Sequence, residues 1–120
     1  LMKLAYYARP ISIDGSPQEL RDHDLIRAMG YEPYPIGDEK KKVLELYKTA
    51  GMLAFKACVE DSSLLIFRAF PDGSIGTGVA QEIEWAINDG IPVVEFPRQV
   101  ARRTLSVDET REMLRELGQR

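Results

Sequence analysis

Residues 63–96 are SLLIFRAFPDGSIGTGVAQEIEWAINDGIPVVEF, a stretch that predicts a strand, a glycine-rich loop, a helix and a second strand. The apolar runs at 63–67 and 91–96 are typical of buried strands. Between them, residues 78–88 show helical spacing of apolar side chains, and Gly90 follows as a common helix terminator. A strand, helix and strand in this order predict parallel pairing through a right-handed crossover.

The remaining segments continue this alternation of strands and helices. The expected elements are a strand at 3–8, a helix at 17–29 capped by Ser16, an extended segment at 31–36, a helix at 38–59, and a charged helix at 107–117 opened by a capping box of Ser106 and Glu109. Asp38 is expected to cap the long helix, which Gly51 kinks or divides. Pro33 and Pro35 make 31–36 a poor central strand.

This order of elements predicts one α/β domain over residues 1–120. We expect a small three-layer, doubly wound domain of the flavodoxin-like or Rossmann-like kind, with a mainly parallel sheet of about four strands. In such sheets the ligand site lies at the carboxyl ends of the strands, near the point where the strand order reverses. The loops at 9–15 and 72–78 therefore belong to the same rim.

Composition excludes several classes of function. Hydrophobic residues make up 44% of the chain and charged residues 29%, as in ordinary globular domains. The formal net charge of −3 gives no basic surface for a nucleic-acid polymer. We expect no membrane span and no secretory signal. Cys58, the single cysteine, is typical of a reducing cytoplasm, and with one histidine in the chain we expect neither a metal site nor a cofactor.

Glu82 and the loop before it form the main candidate site. The loop offers hydroxyls, backbone N–H groups and the positive end of a helix to an anion or a sugar, through Ser74, Gly76, Thr77 and Gly78. We expect the electric field of this positive helix end to keep Glu82 ionised, so that it could act as a nucleophile toward an electron-poor carbon. The alternative is a plain strand-to-helix turn that needs glycine, with Glu82 as a favourable charge near the helix start.

Other polar side chains have simpler expected roles. On the helix at 78–88, an apolar stripe is expected to face the sheet with Glu82 at its border, and it consists of Val79, Ile83, Ala86 and Ile87. Glu84 should face solvent. Tyr6 or Tyr7 could orient a carboxylate or a sugar hydroxyl, and Arg9 could pair with a phosphate. Asp14 and Asp72 are expected to form turns, and His23 to be an exposed helical residue.

Three segments, in chain order, resemble the nucleoside 2-deoxyribosyltransferase-like superfamily. Residues 6–11, YYARPI, look like its opening strand and loop, and residues 59–66, VEDSSLLI, look like its third strand. The most specific segment is GVAQEIEWA at 78–86, followed by GIPVV at 90–94. This segment is similar to the family block that carries the catalytic glutamate. The resemblance covers roughly residues 3–96.

This resemblance implies cleavage of an N-glycosidic bond. Glu82 would attack the sugar C1′, Tyr6 would orient Glu82, and water or a second base would resolve the glycosyl-enzyme intermediate. A 5′-phosphate would be held by Ser74, Thr77 and the amides of Gly76 and Gly78, with help from Arg9. The short chain is closest in size to the nucleoside 5′-monophosphate N-glycosidases, so a cytoplasmic homodimer or higher homo-oligomer is expected.

The chain departs from the family pattern in three places. Glu84 and Arg9 each replace a glycine, and residues 54–56 lack the aspartate that helps the leaving base. Asp72 is the candidate to take over that role. Three alternatives stay open: a nucleoside 2-deoxyribosyltransferase, a non-catalytic nucleotide-binding domain on the same fold, and a flavodoxin-like or receiver-like module. The last is disfavoured because the first loop lacks a hydroxyl-glycine cradle and the first strand ends without an acidic pair.

Overall fold

A four-stranded, all-parallel sheet forms the centre of the computed structural model, which describes residues 3–97, 106–116 and 118. Its strands are β1 (Lys3–Ala8), β2 (Tyr31–Tyr34), β3 (Leu64–Arg68) and β4 (Val93–Phe96). They lie in the order β2-β1-β3-β4, so the chain moves outward from β1 to β2 and then crosses to the other side for β3 and β4. The strand order therefore reverses between β1 and β3.

Helices cover both faces of the sheet. The helices of the described residues are α1 (Pro17–Ala28), α2 (Gly37–Ala50), α3 (Lys56–Glu60), α4 (Thr77–Asn88) and α5 (Val107–Glu116), with short 3-10 turns at Ile11–Ile13 and Gly51–Phe55. The helices α1 to α4 contribute to the buried clusters on the sheet. One buried cluster joins α1 to the sheet around Ala5, Ile26 and Ile66. A second joins α2, α3 and α4 to the other face around Val43, Val59, Leu65, Val79 and Ala86. The predicted three-layer, doubly wound α/β fold is confirmed.

Helix ends follow the sequence in most places. The Ser16 side chain accepts a hydrogen bond from the Glu19 amide at 3.3 Å, and Pro17 opens α1 as predicted. Gly51, at φ +62°, ends α2 in a conformation that favours glycine and divides the long predicted helix. Asp38 is not the cap that was expected. Ile36 holds that position without a side-chain bond, and Asp38 lies in the first turn, where its charge suits the helix end.

The last described helix begins with the predicted capping box. The Ser106 hydroxyl accepts from the Glu109 amide at 3.2 Å, and the Glu109 carboxylate accepts from the Ser106 amide at 3.1 Å. These reciprocal bonds satisfy two amides that helix geometry leaves without partners. The expected end of this helix near residue 117 lies outside the described residues.

The β2 strand lies at an edge of the sheet, as its proline content predicts. Among the described strands it pairs with β1 alone, through the register Lys3–Tyr31 to Tyr6–Tyr34. Pro33 cannot donate to a ladder, so a strand that carries it fits an edge better than a centre. Across the described residues, the helices are too short or too polar to traverse a bilayer.

The buried face of α4 differs from the predicted stripe at one position. Val79 and Ala86 are buried and Ile83 packs against the same cluster, but Ile87 is 62% exposed. Glu82 is itself buried and lies beside Ala86 on the helix wheel, on the side away from Ile87. This shift of the buried face toward Glu82 turns Ile87 out to solvent, since each residue advances about 100° around the helix.

Candidate active site

A cavity of about 350 Å³ opens where the strand order reverses, beside the carboxyl end of β1 and the start of α4. Three groups of lining residues matter for its chemistry. The buried pair is Tyr6 and Glu82, and the polar cluster is Arg9, Asp14, Glu19 and Lys40. The apolar cluster is Tyr34, Leu44, Tyr47, Met52, Phe55 and Phe70. This position is the one that doubly wound sheets generally use for ligands.

The buried pair joins β1 to α4. Side chains alternate along a strand, so Tyr6 points to the face that α4 covers. Its hydroxyl donates a hydrogen bond to Oε2 of Glu82. Both side chains are nearly enclosed, with Glu82 7% exposed, yet both line the cavity. The structure therefore brings together the two residues that the sequence assigned to catalysis.

Burial changes the protonation of Glu82. Loss of hydration raises the pKa of Glu82 to about 8, so the expectation of a carboxylate ionised at neutral pH is wrong for the free protein. The helix field was expected to prevent this. Since α4 begins at Thr77, Glu82 lies in its second turn, beyond the range where the helix end acts strongly. Desolvation therefore outweighs the helix field.

This raised pKa predicts a pH-dependent stability. Between the unfolded pKa and about 8, the folded protein binds more protons than the unfolded chain, so the free energy of unfolding falls as pH rises. We expect a loss on the order of 3 kcal/mol between about pH 5 and pH 8. Glu82→Gln should abolish this loss and be the more stable protein at about pH 8.

Chemical denaturation at several pH values measures this effect. The matched control is Glu84→Gln, because Glu84 is exposed on the same helix and should keep the wild-type pH dependence. If wild type and Glu82→Gln lose stability in parallel from about pH 5 to pH 8, ionisation of Glu82 is not the cause of the pH dependence.

The polar cluster is a chain of four alternating charges. Arg9 Nη2 lies 2.7 Å from Asp14 Oδ1 and 3.1 Å from Glu19 Oε2, and Arg9 Nε lies 3.2 Å from that same Glu19 oxygen. Lys40 Nζ reaches Asp14 Oδ1 at 2.6 Å. The hydrogen bond from Lys40 is the main reason that the pKa of Asp14 is lowered. Asp14 thus bridges two cations beyond its expected turn-forming role.

His23 lies at the cavity and is half-buried, so the prediction of an exposed residue is wrong. Its ring meets the Tyr7 ring edge-on, with centroids 5.6 Å apart. Burial lowers the pKa of His23, so its imidazole is largely neutral at neutral pH. No local sequence signal marks this contact, because it depends on how α1 packs back across the end of β1.

Asp22 forms a buried network on the opposite face of the sheet. Its side chain is 0% exposed and accepts hydrogen bonds from Arg68 at 2.7 and 2.8 Å, from Gln18 at 2.9 Å, and from the Tyr7 hydroxyl. Burial alone would raise the pKa of Asp22, but the bonds from Arg68, Tyr7 and Gln18 outweigh it and the pKa is lowered. This ionised network joins α1 to the carboxyl ends of β1 and β3.

The predicted phosphate loop is only partly at the cavity. Gly76 and Gly78 line it, whereas Asp72, Ser74 and Thr77 are exposed and are not among its lining residues. Asp72 Oδ1 accepts hydrogen bonds from the Ser74 amide at 2.9 Å and the Ser74 hydroxyl at 2.6 Å, which is a turn-forming arrangement. A Cβ on Gly78 would lie 3.4 Å from Met52 Cε, so glycine there permits close packing.

The segment at 54–56, where the resemblance led us to look for an aspartate, contributes an apolar side chain instead. Phe55 lines the cavity, and its ring centroid lies 5.5 Å from that of Tyr47. The expected carboxylate position is therefore part of an aromatic surface that suits a planar ligand.

Comparison with known proteins gives no relative: no protein-family model, curated protein or solved structure matches this chain. Within residues 3–97 and 106–116, no three His, Cys, Asp or Glu side chains are grouped as metal ligands would be. The chemistry available at the cavity is thus that of a buried carboxyl with a hydroxyl donor, a balanced set of charges and an aromatic surface.

Proposed function

We propose that this protein is an N-glycosidase that cleaves the base–sugar bond of a (deoxy)nucleoside 5′-monophosphate, with Glu82 as the nucleophile at C1′. The observation that carries the proposal is the buried hydrogen-bonded pair of Tyr6 and Glu82 at a cavity where the strand order reverses. The resemblance at 78–94 assigns the same glutamate to that chemistry. Glu82 and Tyr6 are therefore our candidate catalytic residues.

The reaction proceeds in two displacements. The ionised Glu82 attacks C1′, the C1′–N bond breaks, and its electron pair leaves with the base. Water then attacks C1′ of the glycosyl ester, which releases the sugar phosphate and restores the carboxylate. Overall, water supplies the hydroxyl to the sugar and the proton to the base. Tyr6 supports the first step because a hydroxyl donor stabilises the carboxylate anion.

The cavity has room and chemistry for a nucleotide. Its volume of about 350 Å³ lies in the range of small-molecule sites. Tyr47 and Phe55 offer aromatic faces for the base, and Arg9 offers a cation for the phosphate. The amides of Gly76 and Gly78 and the exposed hydroxyls of Ser74 and Thr77 stay candidate hydrogen-bond donors to the phosphate. Asp72, a carboxylate on the same loop, stays the candidate for helping the leaving base. We expect the protein to act in the cytoplasm as a homodimer or larger homo-oligomer.

The test is an assay of base release in which chromatography measures the free base. The substrates are deoxy- and ribonucleoside 5′-monophosphates and the free nucleosides, with wild type, Glu82→Ala and Glu84→Ala compared side by side. We expect free base from at least one monophosphate with wild type and Glu84→Ala, and none with Glu82→Ala. A second base, added as acceptor, distinguishes a transferase from a hydrolase. A transferase would form a new N-glycosidic bond to the added base, whereas a hydrolase would release the free sugar phosphate.

One observation favours a non-catalytic nucleotide-binding domain as the second candidate. With the pKa of Glu82 raised to about 8, most of the free protein carries a neutral carboxyl at neutral pH. A neutral carboxyl can donate a hydrogen bond to a ligand but is a poor nucleophile. Nucleotide binding without base release, at any pH and with any acceptor base, would select this candidate.

Tyr6→Phe tests how the pair works. Without the hydroxyl, the Glu82 anion loses a hydrogen-bond donor, so we expect base release at neutral pH to fall roughly tenfold or more and its pH dependence to move to higher pH. The measurement is the pH profile of kcat/KM. Tyr31→Phe is the control, since Tyr31 begins β2 and is not among the residues that line the cavity. An unchanged profile in Tyr6→Phe would rule out a role for the hydroxyl.

A further inference from the structure

Two cationic side chains at the cavity donate hydrogen bonds to the same oxygen atom. Arg9 Nη2 and Lys40 Nζ lie 2.7 and 2.6 Å from the same Oδ1 atom of Asp14. Because both donors reach a single oxygen, they are close enough for one phosphate group to accept from both. All three residues line the cavity, and neither cation is fully buried. The site between them is therefore of a size and charge that suits an anion.

Glu19 keeps this site in place independently of Asp14. Its carboxylate is largely buried and holds Arg9 through both Nε and Nη2. The Gly15 amide also donates to Glu19, at 3.3 Å. Arg9 would thus keep its position if Asp14 moved away. The four charges sum to zero while Asp14 is in place and to one positive charge when it leaves.

Asp14 is loosely placed by comparison. It follows the short 3-10 turn Ile11–Ile13, in which no residue is buried and Ile11 is 89% exposed. Its own side chain is partly exposed, and ion pairs of this kind contribute little to stability. A nucleotide phosphate carries more negative charge at neutral pH than one carboxylate and has more acceptor oxygens. Both the exposure of Asp14 and the greater charge of a phosphate favour exchange of Asp14 for a phosphate.

We propose that Arg9 and Lys40 are the 5′-phosphate subsite of this cavity, and that Asp14 occupies this subsite until the phosphate of the substrate displaces it. The inference rests on the proposed function for the identity of the ligand, but it concerns binding and not cleavage. It adds Lys40 as a specificity-determining residue, and it makes Asp14 a built-in competitor of the phosphate.

Calorimetric titration tests the proposal with three probes: a deoxynucleoside 5′-monophosphate, the matching nucleoside, and inorganic phosphate. For Asp14→Asn we expect the Kd of the monophosphate and of inorganic phosphate to fall roughly fivefold, because the competing charge is gone. For Lys40→Met we expect both Kd values to rise by a similar factor. The Kd of the nucleoside should stay unchanged in both variants.

Two variants control for general charge effects. Asp89→Asn removes one exposed acid at the end of α4, and Lys41→Met removes the exposed lysine next to Lys40. Both variants should bind the monophosphate and inorganic phosphate with the Kd values of the wild type. An unchanged or weaker affinity of Asp14→Asn for phosphate overturns the proposal, as does an equal gain in Asp89→Asn or an unaltered affinity in Lys40→Met. Absence of phosphate-dependent binding in both wild type and Asp14→Asn overturns it as well.

The two proposals fail in different ways. If monophosphates bind as expected but no base is released, the phosphate subsite stands and the N-glycosidase is wrong. If base is released at equal rates from monophosphates and nucleosides, and Asp14→Asn changes neither Kd nor rate, the glycosidase stands and the subsite is wrong.

Discussion

Glu82→Gln is expected to lower the rate of base release at least about a thousandfold, because an amide cannot form the glycosyl ester. Glutamine keeps the shape of the side chain and can still accept the hydrogen bond from Tyr6. Loss of activity in this variant would therefore report the chemistry of the carboxylate and not a collapse of the cavity. The measurement is kcat for the best monophosphate, with Glu84→Gln as the matched control.

The pH profile of base release by the wild-type protein gives a second readout of the same carboxylate. Since the pKa of Glu82 is raised to about 8, kcat/KM should rise about tenfold from pH 7 to its plateau as the nucleophile becomes ionised. A rate that falls as pH rises through this range would instead indicate that the neutral acid is the active form. Glu82 would then be a proton donor, and the nucleophile would have to be water.

Arg68→Met is expected to destabilise the fold by about 3–5 kcal/mol, because it leaves the carboxylate of Asp22 buried without its cation. Asp22 is 0% exposed and takes two of its hydrogen bonds from Arg68, at 2.7 and 2.8 Å. Gln18 and Tyr7 remain as donors but carry no charge. Urea denaturation at neutral pH measures the change in the free energy of unfolding.

Two further variants make this result specific. Arg27→Met removes a surface arginine whose partners lie 3.4 and 3.7 Å away, and it should cost less than about 1 kcal/mol. The double variant Asp22→Asn with Arg68→Met removes both charges and should recover much of the stability lost by Arg68→Met. If the double variant is no more stable than Arg68→Met alone, the arginine acts through packing and not through its charge.

The fold could be predicted from the sequence because its signals are local. The apolar strand at Leu64–Arg68, the Ser16 cap and the prolines around β2 each determine their own segment. Alternation of strands with helices then leaves parallel pairing as the ordinary solution. The prediction that Asp38 caps α2 was wrong because the helix begins at Gly37, with no side-chain hydrogen bond to mark its start.

The site was predictable only where one element carried the signal. Glu82 stands out within its own helix, and Tyr6 within its own strand. Lys40, His23 and Arg68 carry no such mark, because each acquires its partner through packing of distant segments: Lys40 meets Asp14 across 26 positions and Arg68 meets Asp22 across 46. The raised pKa of Glu82 was also missed, since burial is a property of the assembled layers.

Tyr6 and Tyr7 are neighbours in the chain, but their side chains lie on opposite faces of the sheet. The Tyr6 hydroxyl donates a hydrogen bond to Glu82 on α4, and the Tyr7 hydroxyl donates one to Asp22 on α1. An insertion or deletion of one residue within β1 would exchange the faces of the two rings. Each hydroxyl would then point away from its carboxyl, and both networks would break together. We therefore expect Lys3–Ala8 to tolerate substitution at its exposed first residue but no change in length.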